Sequence, residues 1–89
     1  MIHRALVFSP EANADLLSLY DWIANAASPA IALGYIEGLE QYLAGFDVAP
    51  ERGTRWDDVR EGLRIVGFEG RVAIAFTLTA DQIAILRIL

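Results

Sequence analysis

The chain has 89 residues and sets 12 carboxylates against seven cations, for a formal net charge of −5, which leaves room for one domain and one hydrophobic core. That balance argues against a sequence-independent grip on nucleic-acid phosphates, so no direct nucleic-acid binding is expected. Cysteine is absent and histidine occurs once without clustered partners, which excludes disulfides and thiolate metal sites and leaves no metal or cofactor expected.

All seven cations are arginine, a residue suited to forked hydrogen-bonded contacts with carboxylates. Hydrophobic residues make up 55% of the chain and the mean hydropathy is +0.37, high for a domain this small, so part of the apolar surface is expected to need a partner. The opening MIHRALVF lacks the apolar region of a secretory signal, and no apolar run approaches the roughly 18 residues that span a bilayer. The expectation is a cytoplasmic protein with no membrane contact.

Residues 2–8, a short run ending in Val7 and Phe8, read as a first strand, with His3 and Arg4 as strand-end residues. Ser9-Pro10-Glu11 then gives a helix start: a serine cap, a proline with no N–H to waste, and an acid at the positive helix end. Ala12, Leu16, Leu19, Ile23 and Ala26 form its core-facing stripe, while Leu17, Tyr20 and Trp22 widen the apolar face beyond it. Ser28-Pro29 repeats the start signal, predicting a second helix from Pro29 to Phe46 with the stripe Ala32, Ile36, Leu39, Leu43 and Phe46. So short a connection makes the two helices an antiparallel hairpin. Leu33, Tyr35 and Tyr42 are again surplus to the stripe. Gly34 and Gly38, four residues apart, offer a face that another helix could approach closely.

Residues 47–60 read as a surface connection, with a turn at Pro50-Glu51-Arg52-Gly53, a short helical turn at 57–60, and Trp56 as a packing anchor. Residues 61–89 hold three apolar runs separated by Glu69-Gly70 and Thr79-Ala80-Asp81, the pattern of a three-stranded antiparallel meander. In the middle strand Val72, Ile74, Phe76 and Leu78 should meet the helices, with Arg71, Ala73, Ala75 and Thr77 on the other face. In the last strand Ile83 and Ile85 are followed by Leu86 and Ile88, which predicts at least partial cover on both faces. The fold class is therefore α+β, an N-terminal strand and a helical hairpin packed on a small antiparallel sheet, in a single domain over 1–89.

No catalytic constellation emerges. With no cysteine and only His3, a nucleophile–base pair cannot be assembled, and the carboxylate pairs Asp57-Asp58 and Glu37/Glu40 read as solvated surface charge. The GFEG at 67–70 lacks a following helix and is no phosphate cradle. The concentrated feature is arginine: Arg60, Arg64, Arg71 and Arg87 lie in or beside the sheet, and a meander could gather Arg64, Arg71 and Arg87 on its uncovered face. Such a platform beside unsatisfied apolar surface suits an acidic amphipathic peptide.

The opening FSPEANADLLSLYDWIA, the second start at Ser28-Pro29, the turn PERGTR, then GLRIVGFEGRVAIAF and DQIAILRIL, together resemble the ParE-type toxins of the RelE/ParE superfamily of bacterial type II toxin-antitoxin modules. The likeness runs over nearly the whole chain and rests on order and spacing. It implies a ParD-like antitoxin that wraps the toxin, and DNA gyrase as a target poisoned by binding, without catalysis by this chain. On that basis Leu17, Tyr20, Leu33, Tyr42, Arg64, Arg71 and Arg87 are expected to contact the antitoxin, and Arg60, Arg64 and Arg87 the target. Relatives commonly continue into a Gly- and Arg-containing tail associated with toxicity, whereas this sequence stops at Leu89, so an inactivated form that still binds antitoxin is also an expectation. The alternatives left open are a RelE-like ribosome-dependent mRNA endonuclease and a non-toxic antitoxin-binding module.

Overall fold

The computed structural model describes residues 5–47 and 53–89. Strand β1 (Ala5–Phe8) leads into helices α1 (Pro10–Ala26) and α2 (Pro29–Ala44), the second closing in a 3-10 turn, Gly45–Asp47. Strands β2 (Thr54–Arg55), β3 (Leu63–Phe68), β4 (Val72–Leu78) and β5 (Gln82–Ile88) follow. Both helices begin at the serine-proline pairs. Ser9 Oγ accepts the Ala12 N–H at 3.0 Å and Ser28 Oγ accepts the Ile31 N–H at 3.2 Å, each satisfying a donor the helix itself cannot.

The sheet has the order β1-β5-β4-β3-β2. Its antiparallel part is the expected meander with β2 added, and β1 joins β5 in parallel, which makes the whole sheet mixed. A parallel edge needs a long crossover, and the helical hairpin supplies it. The described part of the first strand starts at Ala5; His3 and Arg4 lie outside the described residues.

The helices roof one face. Ala12, Leu39, Leu43 and Phe46 bury against Val72, Ile74, Phe76, Ile83, Ile85 and Ile88, with Leu6, Phe8, Leu16, Leu19 and Leu78 packed around them. Each large side chain sealed in this way contributes about 1.5–3 kcal/mol. Β-strand alternation in β4 places its residues as the sequence predicts. In β5 the second face is only partly covered, with Ala84 and Leu86 half-buried, and the apolar residues sort to one side for an identifiable reason. Phe76 pairs with Ile85 and Ala75 with Arg87, so Leu86 has no opposite number and the inward phase resumes at Ile88, across from Ile74. The bulge sends Ile83, Ile85 and Ile88 into one core.

The connection before β3 carries a strand that its composition does not announce. Thr54 pairs with Ile65 and Arg55 with Arg64. Gly53 makes that pairing possible: its φ is +76°, and a Cβ there would lie 2.2 Å from the Ile65 carbonyl oxygen. The turn expected at 57–60 is present, with the Trp56 carbonyl accepting the Val59 and Arg60 N–H groups at 3.0 and 3.1 Å. Trp56 itself is 42% exposed. Of the turn expected at 50–53, only Gly53 falls among the described residues. Gly34 and Gly38 form no seam with α1: a Cβ at Gly34 would meet nothing within 4 Å, and one at Gly38 would touch Phe68 Cζ at 4.0 Å.

Candidate partner-binding groove

At its N-terminal end α1 is bound closely to the exit of β5. β1 stops pairing at Ile85, which leaves the edge of β5 bare beyond it. Ser9 and Asp15 take over that edge. The Ser9 N–H donates to the Ile85 carbonyl at 2.9 Å, and its hydroxyl donates to the Leu86 carbonyl at 2.7 Å. Asp15 Oδ2 accepts the Ile88 N–H at 2.9 Å and Arg87 Nε at 2.8 Å, while Oδ1 accepts Arg87 Nη2 at 3.1 Å. The hydrogen bond from Arg87 holds the Asp15 carboxyl below its ordinary pKa against the opposing effect of burial, helped by the Ile88 N–H and the arginine charge.

At the other end of the hairpin the same helix stands away from the sheet. Leu19, Trp22, Ile23, Ala26 and Ala27 of α1 and its turn face Ile31 and Tyr35 of α2 and Arg71-Val72 at the start of β4, around an open groove of about 570 Å³. The lining is almost wholly apolar, yet Trp22 is 66% and Ile31 59% exposed, which leaves large hydrophobic surface without cover. Small residues at Ala26 and Ala27 keep the groove open at the turn. Its wall continues into the core through a run of aromatic contacts, Tyr35–Phe68 at 5.6 Å, Phe68–Tyr42 at 5.1 Å, Tyr42–Phe46 at 5.3 Å and Phe46–Phe76 at 5.0 Å.

Two polar features break the apolar lining. The Tyr35 hydroxyl is sealed from solvent and has no hydrogen-bond partner among the described residues. Burial, joined by the Glu69 carboxylate, pushes its pKa above the ordinary phenol value, while the Arg71 guanidinium works the other way, so Tyr35 stays a neutral donor. Arg71 sits on the rim, just past a turn whose central residues Glu69 and Gly70 both have positive φ, 52° and 68°. A glutamate held at positive φ carries local strain in that turn.

The sequence-selected residues are scattered. Leu17 and Leu33, 69% and 52% exposed, project from α1 and α2 and do not line the groove. Tyr20 is half-buried on α1, and Tyr42 is half-buried within the aromatic run. Arg60 is exposed in the turn after β2. The three-arginine platform is not formed. Arg64 lies opposite Phe76 and therefore on the helix-covered face, Arg71 is at the groove rim, and Arg87 is held by Asp15. Trp22, Ile31 and Tyr35 are the groove residues that the site reading passed over. The usable signal was Trp22, a large residue off its helix stripe beside the small pair Ala26-Ala27.

This helical hairpin on a five-stranded mixed sheet is the fold of a type II toxin. A chain of the solved structure described as "Chromosomal ParDE TA system from P. aeruginosa" superposes with a TM-score of 0.81 at 23% identity, covering 99% of this chain and 96% of that one. At sequence level, the family described as "ParE toxin of type II toxin-antitoxin system, parDE" matches residues 6–89, and the chain belongs to that family. A search of curated proteins returns no match.

Proposed function

We propose that the chain is a cytoplasmic toxin that a ParD-like antitoxin neutralises, and that it acts by binding DNA gyrase and blocking replication. The observation that carries the reading is the family match across residues 6–89. The uncovered groove supports a protein partner, because a small domain gains nothing from exposing Trp22 and Ile31 to water. The net charge of −5 supports a protein target over a nucleic-acid phosphate backbone. No helix among the described residues is long and apolar enough to cross a membrane.

Within this reading the antitoxin covers the hairpin surface that includes Leu17, Tyr20, Leu33 and Tyr42, together with Arg71. The target contact uses cations outside that surface, exposed Arg60 foremost, with half-buried Arg64 and the Asp15-paired Arg87 in the sheet.

The test is a gyrase assay with purified chain of verified fold. Expected are loss of supercoiling and accumulation of the gyrase–DNA cleavage complex, both relieved by the antitoxin encoded in the neighbouring reading frame. A folded sample that leaves supercoiling and cleavage unchanged sinks the gyrase assignment, and cleavage of ribosome-bound message would replace it with the endonuclease reading. Arg60→Ala should weaken the gyrase effect while leaving antitoxin affinity within about twofold, since exposed charges outside an interface contribute little to it.

A further inference from the structure

We infer that the groove between the α1–α2 turn and the β3–β4 turn is a receptor for one apolar side chain followed by a carboxylate, both presented by an amphipathic segment of the antitoxin. The inference rests on the antitoxin reading above and adds the chemistry of the contact.

Three observations carry it. The groove is lined by Leu19, Trp22, Ile23, Ile31 and Val72 and, at about 570 Å³, has room for a large aliphatic or aromatic anchor. Arg71 stands on its rim, and its guanidinium makes no hydrogen bond or salt bridge among the described residues, unlike that of Arg87, whose charge Asp15 meets. A guanidinium without a side-chain partner beside an apolar wall favours a carboxylate on the occupant, with the fork geometry that arginine offers. The third observation is Tyr35. Its hydroxyl is buried and unpaired, a state that ordinarily costs a protein stability and that an incoming acceptor would relieve.

Arg71 lines the groove beside Val72 and the apolar wall, so the carboxylate of the occupant has to lie next to its apolar anchor, within a chain that is otherwise acidic.

The test measures affinity for the antitoxin of the neighbouring reading frame, and for synthetic peptides tiling its C-terminal segment. Arg71→Glu should weaken binding by roughly 100-fold and Arg71→Ala by roughly 10-fold, as expected for loss of a charge-assisted contact. Trp22→Ala should weaken it by at least about 10-fold, the usual cost of truncating an aromatic hot spot. One antitoxin carboxylate changed to arginine should restore binding to Arg71→Glu and to no other variant. Tyr35→Phe separates this from a purely structural role: the free chain should melt at a higher temperature, having lost an unpaired hydroxyl, while its affinity for antitoxin falls.

If the unaltered chain binds antitoxin tightly and Arg71→Glu and Trp22→Ala bind equally well, the groove assignment is overturned and the antitoxin reading stands. Failure of the unaltered, folded chain to bind antitoxin removes both. Tyr35→Phe with higher stability and unchanged affinity removes the hydroxyl from the contact.

Discussion

The two ends of α1 meet the sheet in opposite ways. At the N-terminal end the polar groups of Ser9 and Asp15 that meet β5 are paired: one serine hydroxyl accepts from Ala12 and donates to Leu86, and one carboxylate takes both the Ile88 N–H and the Arg87 guanidinium. At the C-terminal end a tryptophan and an isoleucine face water, and among the described residues a buried hydroxyl has no partner and an arginine no counter-ion. The first arrangement closes the free edge of β5, which would otherwise offer its backbone to another chain. The second leaves chemistry undone. A domain of this size has little stability to spare, so unsatisfied groups concentrated in one place point to a partner that completes them.

The comparison can be broken at Ser9, where the largest effect is expected. Ser9→Ala removes the α1 cap, worth about 1 kcal/mol, and strips the Leu86 carbonyl of its hydroxyl donor, worth about as much again. Ser28→Ala removes only a cap and should cost about 1 kcal/mol. Urea denaturation of the two variants measures the difference; equal losses would show that the Ser9 contact to β5 holds nothing.

Asp15 comes next and adds a pH signature. Its folded pKa lies below the ordinary value, so its contribution is complete above the unfolded-state pKa near 4 and is lost as pH falls through the lower folded value. Asp15→Asn keeps an acceptor for the Ile88 N–H but cannot titrate, and should cost about 1 kcal/mol at neutral pH. The gap between variant and parent should then narrow in acid. Thermal melts from pH 7 down to about pH 2 would show it. A gap that stays constant with pH would mean the carboxylate charge is not what holds Arg87.

The closed end was half legible in the sequence and the open end less so. Ser-Pro twice over places both helix starts, because a cap and its proline act within four residues. Alternation in β4 likewise depends only on neighbours. The bulge at Leu86 was visible as a doublet of apolar residues, Ile85-Leu86, but a doublet reads equally as a strand covered on both sides, and only the register against β4 separates the two. The arginine platform failed for the same reason. Whether Arg64 and Arg87 share a face is a property of pairing across strands, and Asp15, 72 residues away from Arg87 in sequence, carries no local mark of its role. β2 escaped because two residues cannot show a period; what admits it is a left-handed glycine against the Ile65 carbonyl. The groove is a space between three segments, and no segment alone encodes it.

The smallest effect is expected at Gly34, and it sharpens the outline of the open end. This residue lies inside α2, where glycine costs up to about 1 kcal/mol relative to alanine, and a methyl group there would meet nothing within 4 Å. The chain's own packing therefore gives no reason for it. Gly34→Ala should raise stability by somewhat under 1 kcal/mol, read as a higher denaturation midpoint with an unchanged slope. Its effect on antitoxin affinity should be nil, because Ile31 and Tyr35 line the groove and Gly34 does not. If affinity falls while stability rises, a partner backbone rests directly on Gly34, closer than the side-chain cover proposed at exposed Leu33 requires.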